Sequence, residues 1–532
     1  MSSHIATLEK QNEILAKLGN SQGKVGTVRH ARLKVVDGAA NIYFGDPDDA
    51  QIEGVYTAFW ANTVIVRKSG STPTSPTDGT VVLTNTTRNA YLTTPFVDSA
   101  YATGDVYRAF TYTTSGAYND SLYGVIKDYV LFGMLIDETD SNENTCVHYL
   151  EDCANFERGS MTFGTDGEGT WDWGDWFGAF FMPRPCMLKT DGTVDYYLDP
   201  DDYTKKADGV TASDVTDSSY DGNAMMEWTP VFMKVVPNSE NGDNSYRVYF
   251  SDKKVDADFE CFSGLKADGT YGNWYTAIYE GTVVNSKLRS YSSGATPNCQ
   301  TSATTELTYA RNNGTDYTPM RWADEQLITY LAVLVLGRLN FQAAIQGTAW
   351  KSISSRTLVC GSCDTKGMFY GKNEGGSSVT IGNKIFGMEN KFGHLWNRVV
   401  GATSVENRLY VKMTKHNLDG STATDFATSD VAGSYTGGLY VDTEQAVPSA
   451  NGSYINSVGK TKYTLGFFKA VTGGAADKFY CDAAYSSAGV RGVLLGGSLN
   501  AGSGAGRFAV NAVYAPSNSV WIYSASLSYR PF

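Results

Sequence analysis

The sequence predicts a multidomain protein that is mainly β with minor α. The chain has 532 residues, and at roughly 150 residues per domain this length indicates three or four domains. Its 55 glycines and 34 tyrosines are typical of tight turns and of pleated, half-buried surfaces. Short runs of β-branched and aromatic residues alternate with polar turn segments along most of the chain, which is the pattern of strands.

Residues 1–26 are predicted to form an oligomerisation or attachment helix followed by a hinge. Ile5 to Leu18 carries apolar residues near the spacing of two heptads, with Asn12 on the seam. A polar seam residue of this kind selects register and oligomer number, so the helix favours self-association. A helix docked on the protein's own surface, or a frayed terminus, is the alternative. Gly19 to Gly26 then breaks the helix.

Residues 27–120 are predicted to form a small β-sandwich, because short strands follow one another at regular spacing with polar turns between them. The predicted strands are Arg32 to Val36, Asn41 to Phe44, Thr63 to Lys68, Val81 to Leu83 and Asp105 to Thr114. The stretches TVIVRKSGSTPTSPTDGTVV and YRAFTYTTSGAYN resemble the fibronectin-III-like or immunoglobulin-like module of bacteriophage tail and fibre proteins. The resemblance covers most of residues 27–120.

Residues 121–315 are predicted to be a second β-rich region, since short apolar segments alternate there with acidic and glycine-rich turns. Within it, Trp171, Trp173 and Trp176 form an aromatic cluster separated by acids and glycine. Alternate residues of a strand face the same side, so Trp171 and Trp173 would either stack on sugar rings or fill a core. Core or interface filling is favoured.

Residues 316–532 begin with an apolar helix, Leu327 to Leu336, that ends at Gly337. The apolar run is about half of the ~20 residues that a membrane-spanning helix needs, so we expect a buried helix. Two glycine-rich segments follow, IFGMENKFGHLWNR at 385–398 and the final stretch from Arg491. The motif positions of the first segment are Gly387, Asn390, Gly393 and Trp396. Those of the second segment are Gly496, Gly497, Ser498, Asn500, Gly506, Phe508, Pro516, Ser517 and Asn518.

These two segments resemble the C-type-lectin-like α+β fold, in the branch shared by formylglycine-generating enzymes and the variable proteins of diversity-generating retroelements. The sequence departs from that branch where His394 to Asn397 replaces the usual Asn-Val-Trp-Glu and where Leu499 replaces a tryptophan. The oxidising members need a pair of reactive cysteines in the terminal region, whereas no cysteine follows Cys481. The resemblance therefore implies a binding module rather than an oxidase.

In the retroelement variable proteins, the resemblance implies that solvent-facing side chains of the last ~40 residues form the ligand-binding face. Adaptable polar residues and rigid aromatic residues on a fixed backbone alter specificity without refolding. The alternation in Phe508 to Val510 and Trp521 to Tyr523 indicates that some of these side chains point inward. The predicted ligand-binding residues are Asn500, Ser503, Arg507, Asn511, Tyr514, Asn518, Trp521 and Tyr523.

Charge and motif spacing exclude several other partners. Lysine and arginine number 43 against 56 aspartate and glutamate, giving a net charge of −13, which repels phosphate backbones and anionic bilayers. We therefore expect no nucleic acid and no membrane insertion. Glu9 and Lys10 stand where a signal peptide would be apolar, so no secretory leader is expected.

No cofactor, metal or catalytic set is predicted. Cys360 and Cys363 form a single CxxC without further ligands at zinc spacing, so buried thiols are favoured over a disulfide. The glycine-rich stretch 502–506 precedes a strand-like segment rather than a helix, which argues against phosphate binding. The acidic groups at 46–49 and 166–175 lack EF-hand spacing and are predicted to be solvated turns. The five histidines suggest no triad.

The sequence thus predicts a phage virion protein, made in the host cytoplasm, that acts as a tail-tip or fibre receptor-binding protein. Its partners would be a host-surface protein or glycan and other virion proteins, and a homotrimer would gain avidity from several weak sites. One alternative is a capsid or tail decoration protein without a specific receptor. Another is an enzyme, either an oxidase of the formylglycine-generating type or a glycan hydrolase within residues 121–315.

Overall fold

The computed structural model describes residues 23–52, 55–238, 244–266, 268–346, 358–373, 381–413 and 440–531. The predicted N-terminal helix lies outside these residues, as does the first half of the hinge. The chain is mainly β, as predicted. It divides into two compact units. The first comprises the described residues up to Gly133 with Leu150–Asn155 and Ser251–Val255, and the second comprises the remainder.

The first unit consists of antiparallel sheets built from short strands rich in β-branched and aromatic residues. Its strands are β1 (Arg29–Val36), β2 (Ala39–Gly45), β3 (Ala50–Ile52), β4 (Val55–Ala58), β5 (Trp60–Ser69), β6 (Thr80–Asn85), β7 (Phe96–Asp98), β8 (Asp105–Thr113) and β9 (Val125–Ile126). One sheet has the order β1–β2–β7 and another the order β6–β5–β8–β9, while β3 and β4 pair with each other. The five strands predicted for residues 27–120 are confirmed.

Both larger sheets of the first unit contribute to one apolar core. Ile42 and Phe44 come from the three-stranded sheet, and Ile65 and Tyr107 come from the four-stranded sheet. Strand β9 lies beyond the predicted boundary at residue 120, and its Ile126 is buried in the same core. The unit therefore extends further than the sequence suggested, because this short strand completes the edge beside β8.

The acidic turn at residues 46–49 is not wholly solvated, contrary to the prediction. Asp46 is fully buried. Its carboxylate accepts hydrogen bonds from Asn85 Nδ2 at 2.9 Å and from the backbone N–H of Asn89 at 2.7 Å. Buried carboxylates need such donors, so Asp46 anchors the turn to the segment after β6.

The strands of the middle region follow. They are β10 (Leu131–Asp137), β11 (Val147–Glu151), β12 (Ser160–Phe163), β13 (Gly169–Asp172), β14 (Arg184–Lys189), β15 (Val194–Asp199), β16 (Asp202–Lys206), β17 (Gly222–Trp228), β18 (Phe232–Pro237), β19 (Ser245–Ser251), β20 (Trp274–Ala277), β21 (Thr282–Val284) and β22 (Lys287–Arg289).

The helices and the remaining strands follow. They are α1 (Ala303–Arg311), β23 (Tyr317–Pro319), α2 (Trp322–Leu336), α3 (Phe341–Ile345), β24 (Lys384–Ile385), β25 (Met388–Glu389), β26 (Trp396–Val405), β27 (Arg408–Val411), β28 (Val441–Ala446), β29 (Ala450–Tyr454), β30 (Ser457–Val458), β31 (Phe468–Ala470), β32 (Ala483–Ser486), β33 (Val490–Leu495), β34 (Val510–Ala512), β35 (Tyr523–Ser524) and β36 (Leu527–Tyr529).

A seven-stranded sheet joins the middle and C-terminal regions. Its order is β16–β15–β14–β17–β20–β36–β23, so the last strand of the chain lies between β20 and β23. Leu527 and Tyr529 of β36 pack with Met225 and Tyr275 in one core cluster. The predicted boundary between residues 315 and 316 therefore does not separate two domains, because strands from both sides of it share a sheet and a core.

The predicted binding segment lies in a second large sheet, with the order β28–β27–β26–β33–β34–β32–β29 and with β35 beside β26. Pairs β32–β34 and β26–β35 are parallel. A further four-stranded sheet has the order β11–β10–β19–β18, and other strands form two-stranded pairs.

Helix α2 confirms the predicted buried helix. Every residue from Trp322 to Leu336 is buried. Gly337 ends the helix in the left-handed region, at φ 59°, and its N–H bonds to the carbonyl of Val333. Such a C-terminal glycine costs no Cβ strain. Among the described residues, no helix is both long and apolar enough to cross a membrane.

Candidate functional site

The eight predicted ligand-binding residues divide into three classes by exposure. They lie between the end of β33 and the start of β35, a stretch with one short strand and several turns. The exposed residues are Asn500, Asn518 and Trp521, the half-buried ones are Ser503 and Tyr514, and the buried ones are Arg507, Asn511 and Tyr523. The first five therefore reach the surface, and the last three belong to the scaffold beneath it.

The segment begins with a turn that only glycine fits. Gly496 and Gly497 have φ of 87° and 71°, a region that L side chains rarely adopt. A Cβ on Gly497 would stand 2.4 Å from the Cβ of Ala505, which is far inside van der Waals contact. Gly496 also donates to the carbonyl of Ala509 at 3.1 Å. The turn therefore sets the position of the one-turn 3₁₀ helix Gly502–Gly504 that follows.

Arg507 anchors the segment and is not available to a ligand. Its guanidinium donates to Glu325 Oε2 at 2.5 Å, to Thr329 Oγ1 at 2.7 Å and to the carbonyl of Lys391 at 2.9 Å. Lys391 Nζ lies 2.7 Å from Glu325 Oε1, and all three charged side chains are at most 3% exposed. The sequence-based assignment of Arg507 to the surface was wrong because its charge has a buried partner on α2.

Two positive neighbours decide the charge state of Glu325. Burial pushes the pKa of this carboxyl upward, but Arg507 and Lys391 outweigh it, and the pKa lies below its usual value. Burial lowers the pKa of Lys391. Two cations thus share one carboxylate in a water-excluded place, which makes the group dependent on each of its members.

Asp482 holds the same segment from the other side. One of its carboxylate oxygens accepts from the N–H of Phe508 at 2.7 Å, and the residue is 1% exposed. Burial raises the pKa of Asp482 well above its usual value of 3.8, although the N–H groups of Phe508 and Gly506 act in the opposite direction. The backbone of 506–508 is therefore fixed at a buried acceptor.

The raised pKa of Asp482 predicts an unusual pH dependence of stability. Because the folded state binds the proton more tightly than the unfolded state, this contribution is fully present below about pH 3.8 and is lost as pH rises through the folded pKa. The free energy of unfolding should fall by up to about 1.4 kcal/mol per pH unit relative to Asp482→Asn, which keeps an acceptor without the charge. Denaturant melts of both proteins between pH 4 and 8 measure this difference. A difference that does not change with pH would contradict the assignment.

Asn511 and Tyr523 are also structural. Asn511 Oδ1 accepts from the N–H of Val513 at 3.0 Å, so it closes the end of β34. Tyr523 is 0% exposed and packs with Trp396, Leu494 and Ala509 in one cluster. The alternation noted in the sequence correctly indicated that some residues turn inward, but not which of them do.

The loop after β34 has a fixed backbone and exposed side chains. Arg398 donates to the carbonyl of Asn518 at 2.9 Å and pairs with buried Glu306 at 2.9 Å. The N–H of Ala303 at the start of α1 donates to the carbonyl of Pro516 at 2.9 Å. Residues 517–519 are exposed all the same. Their side chains are therefore presented on a backbone tied to α1 and β26.

Two tyrosines that were not predicted from the sequence connect the two ends of this surface. Tyr454 of β29 hydrogen-bonds to Ser503 Oγ at 2.9 Å. Burial raises the pKa of Tyr485 of β32, and the nearby hydroxyls of Tyr454 and Tyr514 raise it further. Tyr514 packs against Tyr523 with ring centroids 5.1 Å apart. The only sequence signal was a tyrosine in each of two short strands, and it does not reveal that the strands pair.

We call Tyr454, Tyr485, Asn500, Ser503, Tyr514, Asn518 and Trp521 the terminal face. It is made of amphipathic aromatic rings with small amide and hydroxyl groups, and its members are half-buried or exposed. Tyrosine and tryptophan supply contact area at low entropy cost, while serine and asparagine supply adaptable hydrogen bonds. Such a surface can bind a partner without catalysing a reaction.

The CxxC region is a buried polar cluster. Both Cys360 and Cys363 are free and buried, and burial raises the pKa of each thiol, which makes them poor nucleophiles. His394 Nδ1 contacts the Glu280 carboxylate, and both residues are at most 2% exposed. These groups pack the interior beside β24 and β25. The expectation of buried thiols is confirmed.

The chain matches no protein-family model and no curated protein.

Proposed function

We propose that the protein is a phage virion protein, at the tail tip or in a fibre, that recognises a host-surface ligand through its terminal face. The observation that carries this proposal is the contrast between surface and scaffold. Exposed tryptophan and asparagine side chains and half-buried tyrosine and serine side chains are mounted on a backbone held by the Arg507–Glu325–Lys391 group, Asp482 and Arg398. A rigid platform with exchangeable surface residues is what specific recognition requires.

The remaining parts of the proposal come from the sequence resemblances. The final segment would be the ligand-binding end of a C-type-lectin-like fold, and the first unit would be an immunoglobulin-like or fibronectin-III-like attachment module. The two-sheet core of the first unit supports the latter. A homotrimer would hold several weak sites together and gain avidity. The partners would be a host-surface protein or glycan and other virion proteins.

Combined replacement of Tyr514, Asn518 and Trp521 by alanine should abolish recognition while leaving the fold intact. Asn518 and Trp521 are exposed, and Tyr514 is half-buried against Tyr523, so their truncation removes little from the core. Aromatic anchors at interfaces cost about 2 kcal/mol or more each when truncated, so we expect at least a 100-fold weaker affinity. The measurement is flow cytometry of the labelled full chain on a panel of bacterial cells, with unfolding temperature measured in parallel.

The matched control replaces Tyr56 and Phe59 by alanine. They form a stacked aromatic pair in the first unit, 55% and 49% exposed, and their loss should leave binding unchanged. Wild-type protein that binds no cell, or a triple variant that binds as well as wild type, would refute the proposal. Immunogold labelling of particles distinguishes a tail tip from a shell decoration.

A further inference from the structure

A pocket of about 330 Å³ opens in the second unit, between the turn after β13 and strands β14 and β15. Its lining includes Trp173, Phe177, Met182, Arg184, Tyr197 and Met368. An engineered cavity of about 150 Å³ holds benzene, so the volume suits a body of about two rings. Pockets of this size with mostly apolar walls and few polar groups are typical small-molecule sites.

The tryptophan cluster singled out in the sequence forms one wall. Trp171 stacks on Phe369 at 4.4 Å, and the ring of Trp173 lies edge-on to both, 5.6 Å from Trp171 and 5.4 Å from Phe369. Trp176 is fully buried, as core filling predicts, whereas Phe177 is 76% exposed. The cluster therefore divides into a core part and a part that faces the pocket.

Phe177 lies beside this wall, with its ring centroid 6.4 Å from that of Trp173. A phenylalanine left 76% exposed forgoes most of the free energy that its burial would supply. An apolar ligand in the pocket would cover the ring and recover part of it. The exposed ring thus points to an occupant with an apolar body.

The charge at the pocket points to an anion. Arg184 Cζ lies 3.4 Å from the centre of the Tyr197 ring, so the guanidinium is held flat by cation–π contact. Its cross-strand partner is Glu227. Within the described part of the chain, however, Arg184 forms no ion pair and no hydrogen bond, so its N–H groups are free to bind a ligand.

The reason is that Glu227 is already occupied. Its carboxylate accepts from Tyr197 Oη at 2.9 Å, from Asn273 Nδ2 at 3.0 Å and from Tyr275 Oη at 3.0 Å. The natural acidic partner of Arg184 is thereby turned to other donors. A planar guanidinium with unused donors matches the geometry of a carboxylate.

We propose that this pocket binds a small hydrophobic carboxylate, with its apolar body against Trp173 and Phe177 and its acid group on Arg184. A sugar fits less well, because only Arg184, Tyr197 and the Trp173 indole among the described lining side chains carry hydrogen-bonding N–H or O–H groups, and Tyr197 already donates to Glu227. The site is separate in sequence from the terminal face and does not rest on the proposed receptor recognition.

The test uses 2-naphthoate as the probe and the full chain as the protein. Isothermal titration should show one saturable site per chain with a dissociation constant below about 1 mM, the value that ordinary ligand efficiency gives for its thirteen or so heavy atoms. The neutral analogue 2-naphthalenemethanol should bind about tenfold more weakly, because it lacks the charge-assisted hydrogen bonds. Glucuronate, which has the charge without the apolar body, should not bind measurably.

Matched variants separate the two contributions. Arg184→Met should weaken 2-naphthoate about tenfold and remove its advantage over the alcohol, whereas Arg32→Met, which removes another tyrosine-stacked arginine, should change nothing. Phe177→Ala should weaken both aromatic probes about fivefold, and Phe59→Ala should not. Trp521→Ala should leave the titration unchanged, so failure here and failure of receptor binding are distinguishable.

Three outcomes would overturn the proposal. They are no saturable binding of 2-naphthoate, affinity unaffected by Arg184→Met, and glucuronate binding as tightly as the naphthoate. Arg184 and Phe177 are exposed, so their variants are expected to fold, and an unchanged unfolding temperature verifies this.

Discussion

Replacing Glu325 by alanine is expected to lower the free energy of unfolding of the second unit by about 3–5 kcal/mol. The change leaves Lys391 and Arg507 facing each other without the carboxylate that they share, and both are at most 3% exposed. A buried charge without a partner loses its hydration and gains nothing in return. The unfolding transition of the second unit, followed by intrinsic tryptophan fluorescence in denaturant, measures the loss.

The control for this prediction is an ion pair of the same type at the surface. Arg408 Nε lies 2.6 Å from Asp442 Oδ1, and these side chains are 44% and 38% exposed. Asp442→Ala should cost less than about 1 kcal/mol, since solvent screens the pair. Equal losses for the two variants would show that burial of the Glu325 group contributes nothing special.

A second variant tests whether charge or shape matters at Glu325. Replacing Glu325, Lys391 and Arg507 together by methionine removes all the buried charge while keeping similar volume. Such replacements are often neutral or stabilising, so this variant should be more stable than Glu325→Ala. If it is less stable, the group contributes specific hydrogen bonds that apolar packing does not replace.

The position of Arg507 shows what the sequence could and could not predict. The sequence places it in a glycine-rich terminal segment, where an arginine is ordinarily a surface residue. Its partner is 182 residues earlier, on α2. Local pattern identified α2 as a buried helix, but a pattern in one segment carries no information on which charge lies opposite in another.

Strand β36 gives the same lesson for the fold. Five strands of the first unit were predictable because each is a run of β-branched and aromatic residues bounded by polar turns. Leu527–Tyr529 instead pairs with Trp274–Ala277, about 250 residues away. A strand of three residues is too short for its sequence pattern to indicate which strand it pairs with. The predicted boundary at 316 failed for that reason.

The terminal face was predictable in part. Residues Asn500, Asn518 and Trp521 are exposed as expected, because they lie in turns and loops, which generally run over the surface. Tyr454 and Tyr485 were missed, since their contribution depends on the pairing of β29 with β32 and of β32 with β34. Predicting that they belong to the terminal face requires knowledge of how these strands pair in the sheet.

Replacing Gly497 by alanine is expected to lower the free energy of unfolding by at least about 2 kcal/mol and to displace the 500–504 turn. At φ 71° an L residue alone costs about 1–2 kcal/mol. The added Cβ would also lie 2.4 Å and 2.5 Å from the Cβ and Cα of Ala505, and backbone atoms cannot move aside cheaply. The same denaturant melts give the stability loss.

Gly294→Ala separates conformational strain from steric clash. Gly294 has a φ of 62°, and a Cβ added there would meet nothing within 4 Å, so its replacement should cost only the backbone term. The extra loss at Gly497 is then the clash with Ala505, which can be relieved only by shifting the turn that carries Asn500 and Ser503. Terminal-face binding should therefore weaken in Gly497→Ala even at temperatures where it is folded. Equal stability losses at the two glycines, with binding retained, would mean that the turn does not position the face.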